Sequence, residues 1–152
     1  MRVWRAEPAE AATVARLIAE FGAWWGQNVL PADEIQASVE RIMGGDDGEY
    51  LLGAPDGGDP SGVCQLRFRW SVWKSAEDCW LEDLYVQESA RRSGLGRALV
   101  EAAAERARER GCKRIELDVN EDNAPARALY EACGFLTEPK PPGRTLFIGR
   151  AL

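Results

Sequence analysis

ESARRSGLGRALVEAAAERARERG, from Glu88 to Gly111, holds an easily read helix and an entry that a helix does not need. Leu95, Leu99, Ala102 and Ala103 recur at helical spacing. Glu101, Glu105, Arg106, Arg108, Glu109 and Arg110 occupy the wetter faces, and Gly111 can end the run. The entry, Arg91-Arg92-Ser93-Gly94-Leu95-Gly96, sets two arginines and two glycines beside backbone N–H groups that have no acceptor within the helix. A purely structural start would more readily place Ser or Asp there as a cap. Cations at the positive end of a helix are also locally unfavourable unless an anion joins them. The pattern points to a bound anion such as a pyrophosphate, held by N–H groups, helix field and guanidinium together. The plainer alternative, glycines that only let the chain reverse, stays open. No Gly-Lys-Ser/Thr follows as in a Walker A loop, and no GxGxxG fingerprint is present.

Working outward, CWLEDLYV (79–86) upstream and RIELDV (114–119) downstream read as strands, and NAPARALYEAC (123–133) as a short helix stopped by Gly134. Earlier, residues 2–6 suit a first strand, and a helix is expected from about Ala9 to Trp25 on the stripe Val14, Leu17, Ile18 and Phe21. A second helix begins at Pro31 and carries Ile35, Val39 and Ile42. EYLLGA (49–54) and VCQLRFRW (63–70) are strands joined by the turn-rich PDGGDPSG, and TLFIGRAL (145–152) supplies a last strand. Strands and helices in this order pack as a mixed sheet with helices on both faces.

Composition narrows the function. The net charge of −6 argues against a nucleic-acid partner. The absence of histidine and of any CxxC pair removes His-based triads and most zinc sites, so no metal is expected. Cys79, Cys112 and Cys133 lie in or beside apolar segments, as buried free thiols do. No apolar run approaches the roughly 20 residues that span a bilayer, and the N-terminal residues carry no signal-like apolar core. One globular domain over 1–152, reduced, cytoplasmic and without a membrane partner, is the expectation.

LEDLYVQESARRSGLGRALV (81–100), followed by NEDNAPARALYEACGF (120–135), resembles the acyl-CoA-binding half of the GNAT N-acetyltransferases. The first segment matches their strand, Arg/Gln-x-x-Gly-x-Gly/Ala turn and long helix. The second matches their Asn-x-x-Ala-x-x-Leu-Tyr-x-x-x-Gly-Phe helix through Asn123, Ala126, Leu129, Tyr130, Gly134 and Phe135. The resemblance covers roughly residues 80–136. It implies an α/β fold with a splayed central sheet of six to seven strands, and acetyl-CoA as cosubstrate. It further implies a pantetheine along the backbone of Leu84, Tyr85 and Val86, with a pyrophosphate in the turn of Arg91, Arg92, Ser93, Gly94, Leu95, Gly96 and Arg97. Asn123 would touch the cofactor arm, and the Tyr130 hydroxyl would face the CoA sulfur as general acid.

Direct transfer to an amine also needs a proton acceptor. Under strict alternation Trp80, Glu82, Leu84 and Val86 share one face, and a carboxylate among apolar neighbours belongs at a cavity or sheet end. Glu82 is accordingly the expected general base, through water or directly, with Asp83 taking its place if a bulge changes the register. The resemblance puts the acceptor under the two early helices, where Trp24, Trp25, Asp33 and Glu34 stand; the acids equally suit a helix's first turn. The implied acceptor is a primary amine of a small molecule. A protein N-terminus, and a CoA-binding regulatory module without turnover, remain alternatives. TLFIGRAL and the Trp73–Ala76 turn are candidate homodimer contacts.

Overall fold

The computed structural model describes residues 1–27, 30–136 and 148–151. Strand β1 (Arg2–Arg5) leads through a 3-10 turn at Pro8–Glu10 into α1 (Ala11–Trp25) and α2 (Ala32–Met43). Then come β2 (Gly48–Ala54), β3 (Gly62–Ser71) and β4 (Ala76–Val86), a second 3-10 turn at Glu88–Ala90, α3 (Leu95–Glu109), β5 (Ile115–Glu116) and α4 (Ala124–Ala132). The first helix starts later than its pattern implied because Pro8–Glu10 winds more tightly. There the Glu10 carboxylate accepts the Glu7 N–H at 2.8 Å and the Trp4 indole N–H at 3.0 Å.

The sheet runs β1-β2-β3-β4-β5 in chain order, antiparallel except for the parallel β4–β5 pair. Its two faces carry separate apolar clusters. Val14 and Leu17 of α1 with Ile35 and Val39 of α2 cover Tyr50, Leu52, Val63 and Tyr85. Leu95, Leu99, Val100 and Ala103 of α3 cover Leu51, Cys64, Leu66, Phe68, Cys79 and Leu81, with Leu129 and Tyr130 of α4 at the margin. Helices on both faces are thus observed.

The sheet has five strands among the described residues; the expected strand at 145–152 falls mostly outside them, and 148–151 carry no strand. RIELDV contributes only Ile115 and Glu116, opposite Cys79 and Trp80.

The reason lies in β4. Gln65 pairs with Asp83 but Leu66 pairs with Leu81, so Glu82 is an extra, bulged residue. A bulge bends its strand and ends regular pairing. Parallel pairing stops just before it, and the stretch from Leu81 to Val86 has no strand on that side among the described residues. The bulge also overturns the expected face assignment. Leu81, Leu84 and Val86 all belong to the α3-side cluster, while Tyr85 belongs to the α1-side cluster.

One pair of glycines sets how close α3 lies. Gly53 and Gly62 are register partners. A Cβ at Gly53 would stand 2.9 Å from Leu95 Cδ1, and one at Gly62 would stand 2.8 Å from Leu99 Cδ1. Only residues without side chains let the first turns of α3 rest on the sheet here. At the opposite end α3 is tied by charge: Glu49, buried on β2, receives Arg106 Nε and Nη2 at 2.8 Å each, and Arg110 at 3.2 Å. Burial resists ionisation of Glu49, but the hydrogen bonds from Arg106 and Arg110 and the charges of Arg106 and Arg5 outweigh it, and the carboxyl sits below its ordinary range.

Candidate active site

The turn before α3 is built from left-handed backbone. Arg92 has φ 59° and Gly94 φ 93°; glycine occupies that region without strain, whereas the arginine does not. Ser93 Oγ donates to the Ala90 carbonyl at 2.7 Å and accepts the Leu95 N–H at 3.3 Å, which fixes the turn from inside. Gly94 is the N-cap, with no side-chain cap bond, and no acid stands in the first turn. The first-turn N–H groups of Gly96 and Arg97 follow Leu95 at the positive end of the helix. Gly96 has a packing reason of its own, since a Cβ there would come to 3.3 Å from Leu129 of α4.

The arginines of this turn do not converge. Arg92 and Arg97 are exposed, and Arg97 lies 3.9 Å from Glu101 along the helix. Arg91 points the other way: its Nε donates to the Val86 carbonyl at 3.0 Å, and its guanidinium lies 4.8 Å above the ring of Trp24 on α1.

The stretch of β4 with no strand on its β5 side among the described residues adjoins this turn. Leu84, Val86 and Tyr130 all lie at the margin of the α3-side cluster, and Tyr130 lies against Phe135 with ring centroids 5.8 Å apart. Burial first, then the charges of Asp118 and Asp83 among its neighbours, push the Tyr130 phenol up to about 12, so it holds its proton at neutral pH. Asn123 caps α4, its Oδ1 accepting the Ala126 N–H at 3.2 Å.

At the bulge the two adjacent acids differ. Glu82 is exposed; Asp83 is half-buried, and burial, followed by the charges of Glu82 and Asp118, lifts its carboxyl to about 6. Behind it, on the α1 side, the Tyr50 hydroxyl donates to Gln65 Oε1 at 3.2 Å, and Gln65 is the register partner of Asp83. Asp118, just past β5 and unmarked by any motif, was not foreseen as a neighbour of this group; continuing β5 parallel to β4 would have placed it there.

Of the predicted acceptor residues, Trp24 and Trp25 stand half-exposed around Phe21, which stacks on Tyr85 at 5.6 Å. Asp33 and Glu34 occupy the first turn of α2, the ordinary place for acids. Cys64 and Cys79 are buried, and burial raises both thiols, Cys79 to about 12, which suits core residues. Among the described residues no group of His, Cys, Asp or Glu is arranged to hold a metal ion, and no helix is long and apolar enough to cross a membrane.

Comparison with known proteins gives a consistent result. The acetyltransferase (GNAT) family model matches residues 14–135. A thialysine N-epsilon-acetyltransferase of Bos taurus is 29% identical over 143 residues, covering 85% of this chain and 80% of its own. An aminoglycoside N(6')-acetyltransferase type 1 of Stenotrophomonas maltophilia is 30% identical over 134 residues, covering 86% and 83%. A crystal structure described as a probable acetyltransferase superposes with a TM-score of 0.87 at 26% identity, over 99% of this chain and 100% of that one. The chain belongs to the acetyltransferase (GNAT) family, the acetyl-CoA-dependent N-acetyltransferases.

Proposed function

We propose that the enzyme acetylates a primary amine of a small molecule by direct attack on acetyl-CoA. One observation carries the reading: a left-handed turn with a glycine N-cap at the start of α3 follows a stretch of β4 that has no strand on its β5 side among the described residues, with Tyr130 at the margin of the same α3-side cluster as Leu84 and Val86. In this reading the pyrophosphate sits on the turn from Arg91 to Arg97, the pantetheine runs along Leu84, Tyr85 and Val86, and Asn123 borders its arm. The names of the bovine and bacterial relatives support a small-molecule acceptor.

The neutral amine nitrogen attacks the thioester carbonyl carbon, and the carbon–sulfur bond of the resulting oxyanion then breaks. Tyr130 gives its phenolic proton to the departing thiolate, and the ammonium proton leaves to a carboxylate. Glu82 is assigned as that acceptor because it is exposed and can pass the proton to water. A second reading, Asp83, is favoured by the bulge and by a carboxyl raised to about 6, closer to working pH.

The test has two parts. Thiol release from acetyl-CoA should appear on adding small amines such as aminoglycosides, polyamines or amino acids with side-chain amines, and not on adding peptides with only an N-terminal amine. Gly94→Val should weaken acetyl-CoA binding by roughly tenfold or more in titration calorimetry, because valine resists a left-handed φ. Turnover confined to peptides overturns the acceptor class; unchanged affinity in a folded variant overturns the turn as cofactor site.

A further inference from the structure

All the buried residues of α1, namely Ala11, Val14, Ala15 and Leu17, lie in its first half. Its last turn has no buried residue and carries Trp24 and Trp25, 55% and 48% exposed, around the partly buried Phe21. A cation joins the apolar contacts that hold this turn to the sheet. The Arg91 guanidinium lies 4.8 Å over Trp24 and 6.0 Å from the Tyr85 ring, while its Nε bonds the Val86 carbonyl at 3.0 Å. Trp24 stacks on Phe21 at 6.3 Å, and Phe21 on Tyr85 at 5.6 Å, closing a circuit from α1 to β4 and back. A second tie runs beside it: Gln87 Nε2 donates to Glu20 Oε2 at 2.7 Å, and Arg16 pairs with the other oxygen of Glu20 at 2.6 Å.

We propose that Arg91 is a positioning residue for the acceptor side of the site, a clamp between the last turn of α1 and the exit of β4, and not a ligand of the pyrophosphate. The proposal rests on the acetyl-transfer reading for what the clamped surface does. A planar cation fits both tasks at once: its face takes the indole while its edge donates in plane to a carbonyl. Held on the Val86 carbonyl and the Trp24 ring, the guanidinium is turned away from the turn that begins with its own residue. The clamp thereby divides the labour of neighbouring arginines, leaving anion binding to backbone N–H groups and to Arg92 or Arg97.

Kinetics with an amine that the wild type acetylates decide the matter. Arg91→Ala should raise the acceptor KM roughly tenfold while the acetyl-CoA Kd stays within about twofold. Arg91→Lys, which keeps a cation near Trp24 without the planar fork, should recover part of the loss. A rise in acetyl-CoA Kd with unmoved acceptor KM makes Arg91 a phosphate ligand and overturns the clamp. A thermal-unfolding cycle on ligand-free Arg91→Ala, Trp24→Leu and the double variant reads the contact independently of catalysis. Coupling between the two changes supports the clamp, and strict additivity overturns it. If no small amine is acetylated while the cycle shows coupling, the clamp stands and the small-amine acceptor reading falls.

Discussion

Asp83 and Glu82 are chemically alike and adjacent, yet only Asp83 is withdrawn from water. With its carboxyl at about 6 instead of 3.8, the folded protein holds the Asp83 proton more tightly than the unfolded chain does. The stability this contributes is complete below pH 3.8 and is lost as pH rises through about 6. Ionised Asp83 then costs about 3 kcal/mol. Asp83→Asn should therefore melt several degrees above the wild type at pH 8, and the two should melt together near pH 4, in paired thermal scans. If Asp83 is also the base, the stabilised variant is slow; if Glu82 is the base, Glu82→Gln is the slow one, and its defect shrinks as pH rises and more amine is already neutral. Tyr130→Phe keeps the ring against Phe135 and removes only the hydroxyl. Its kcat should fall about 10²–10⁴-fold with acetyl-CoA affinity unchanged, and full turnover would exclude the phenol as proton donor. The helix that carries Tyr130 was legible because it bears a motif. The direction of Arg91 was not, because spacing places a side chain on a turn without saying which neighbour it reaches.

Among the elements, α3 was the most readable and also the most constrained in place. Its apolar spacing gave its extent, but its height over the sheet depends on Gly53 and Gly62, which stand in strands far from it in sequence. Gly62→Ala would drive a methyl into Leu99 and Leu95, which are fully buried and have nowhere to swing. The expected loss is about 1–3 kcal/mol in urea unfolding, with weaker acetyl-CoA binding because the start of the helix is lifted from β4. A stable variant with intact binding would show that α3 settles without the glycine pair. The strand at 114–119 was legible as a strand but not in its length. Alternation says that residues suit a sheet; the bulge at Glu82 decides how many of them find a partner, and one extra residue leaves no periodic signal.

Over the molecule as a whole, the family could be read from two motifs in order, whereas the end proposed for the acceptor lacked such a signal because its shape arises from contacts between α1 and β4. The sheet's uneven stitching has a further consequence. Among the described residues, each strand from β1 to β4 is secured along its length, but β5 is joined by two residue pairs, and α4 has no fully buried residue. Of the described elements, the piece bearing Tyr130 and Asn123 is thus the one most able to detach by itself while the rest stays folded. Backbone amides of Ile115, Glu116 and α4 should exchange with deuterium sooner than those of β2, β3 and α3, and should slow when acetyl-CoA bridges the two parts. Equal protection throughout would contradict this. On heating, catalysis should fail before the sheet melts, so a modest rise in temperature could silence the enzyme reversibly while leaving it whole.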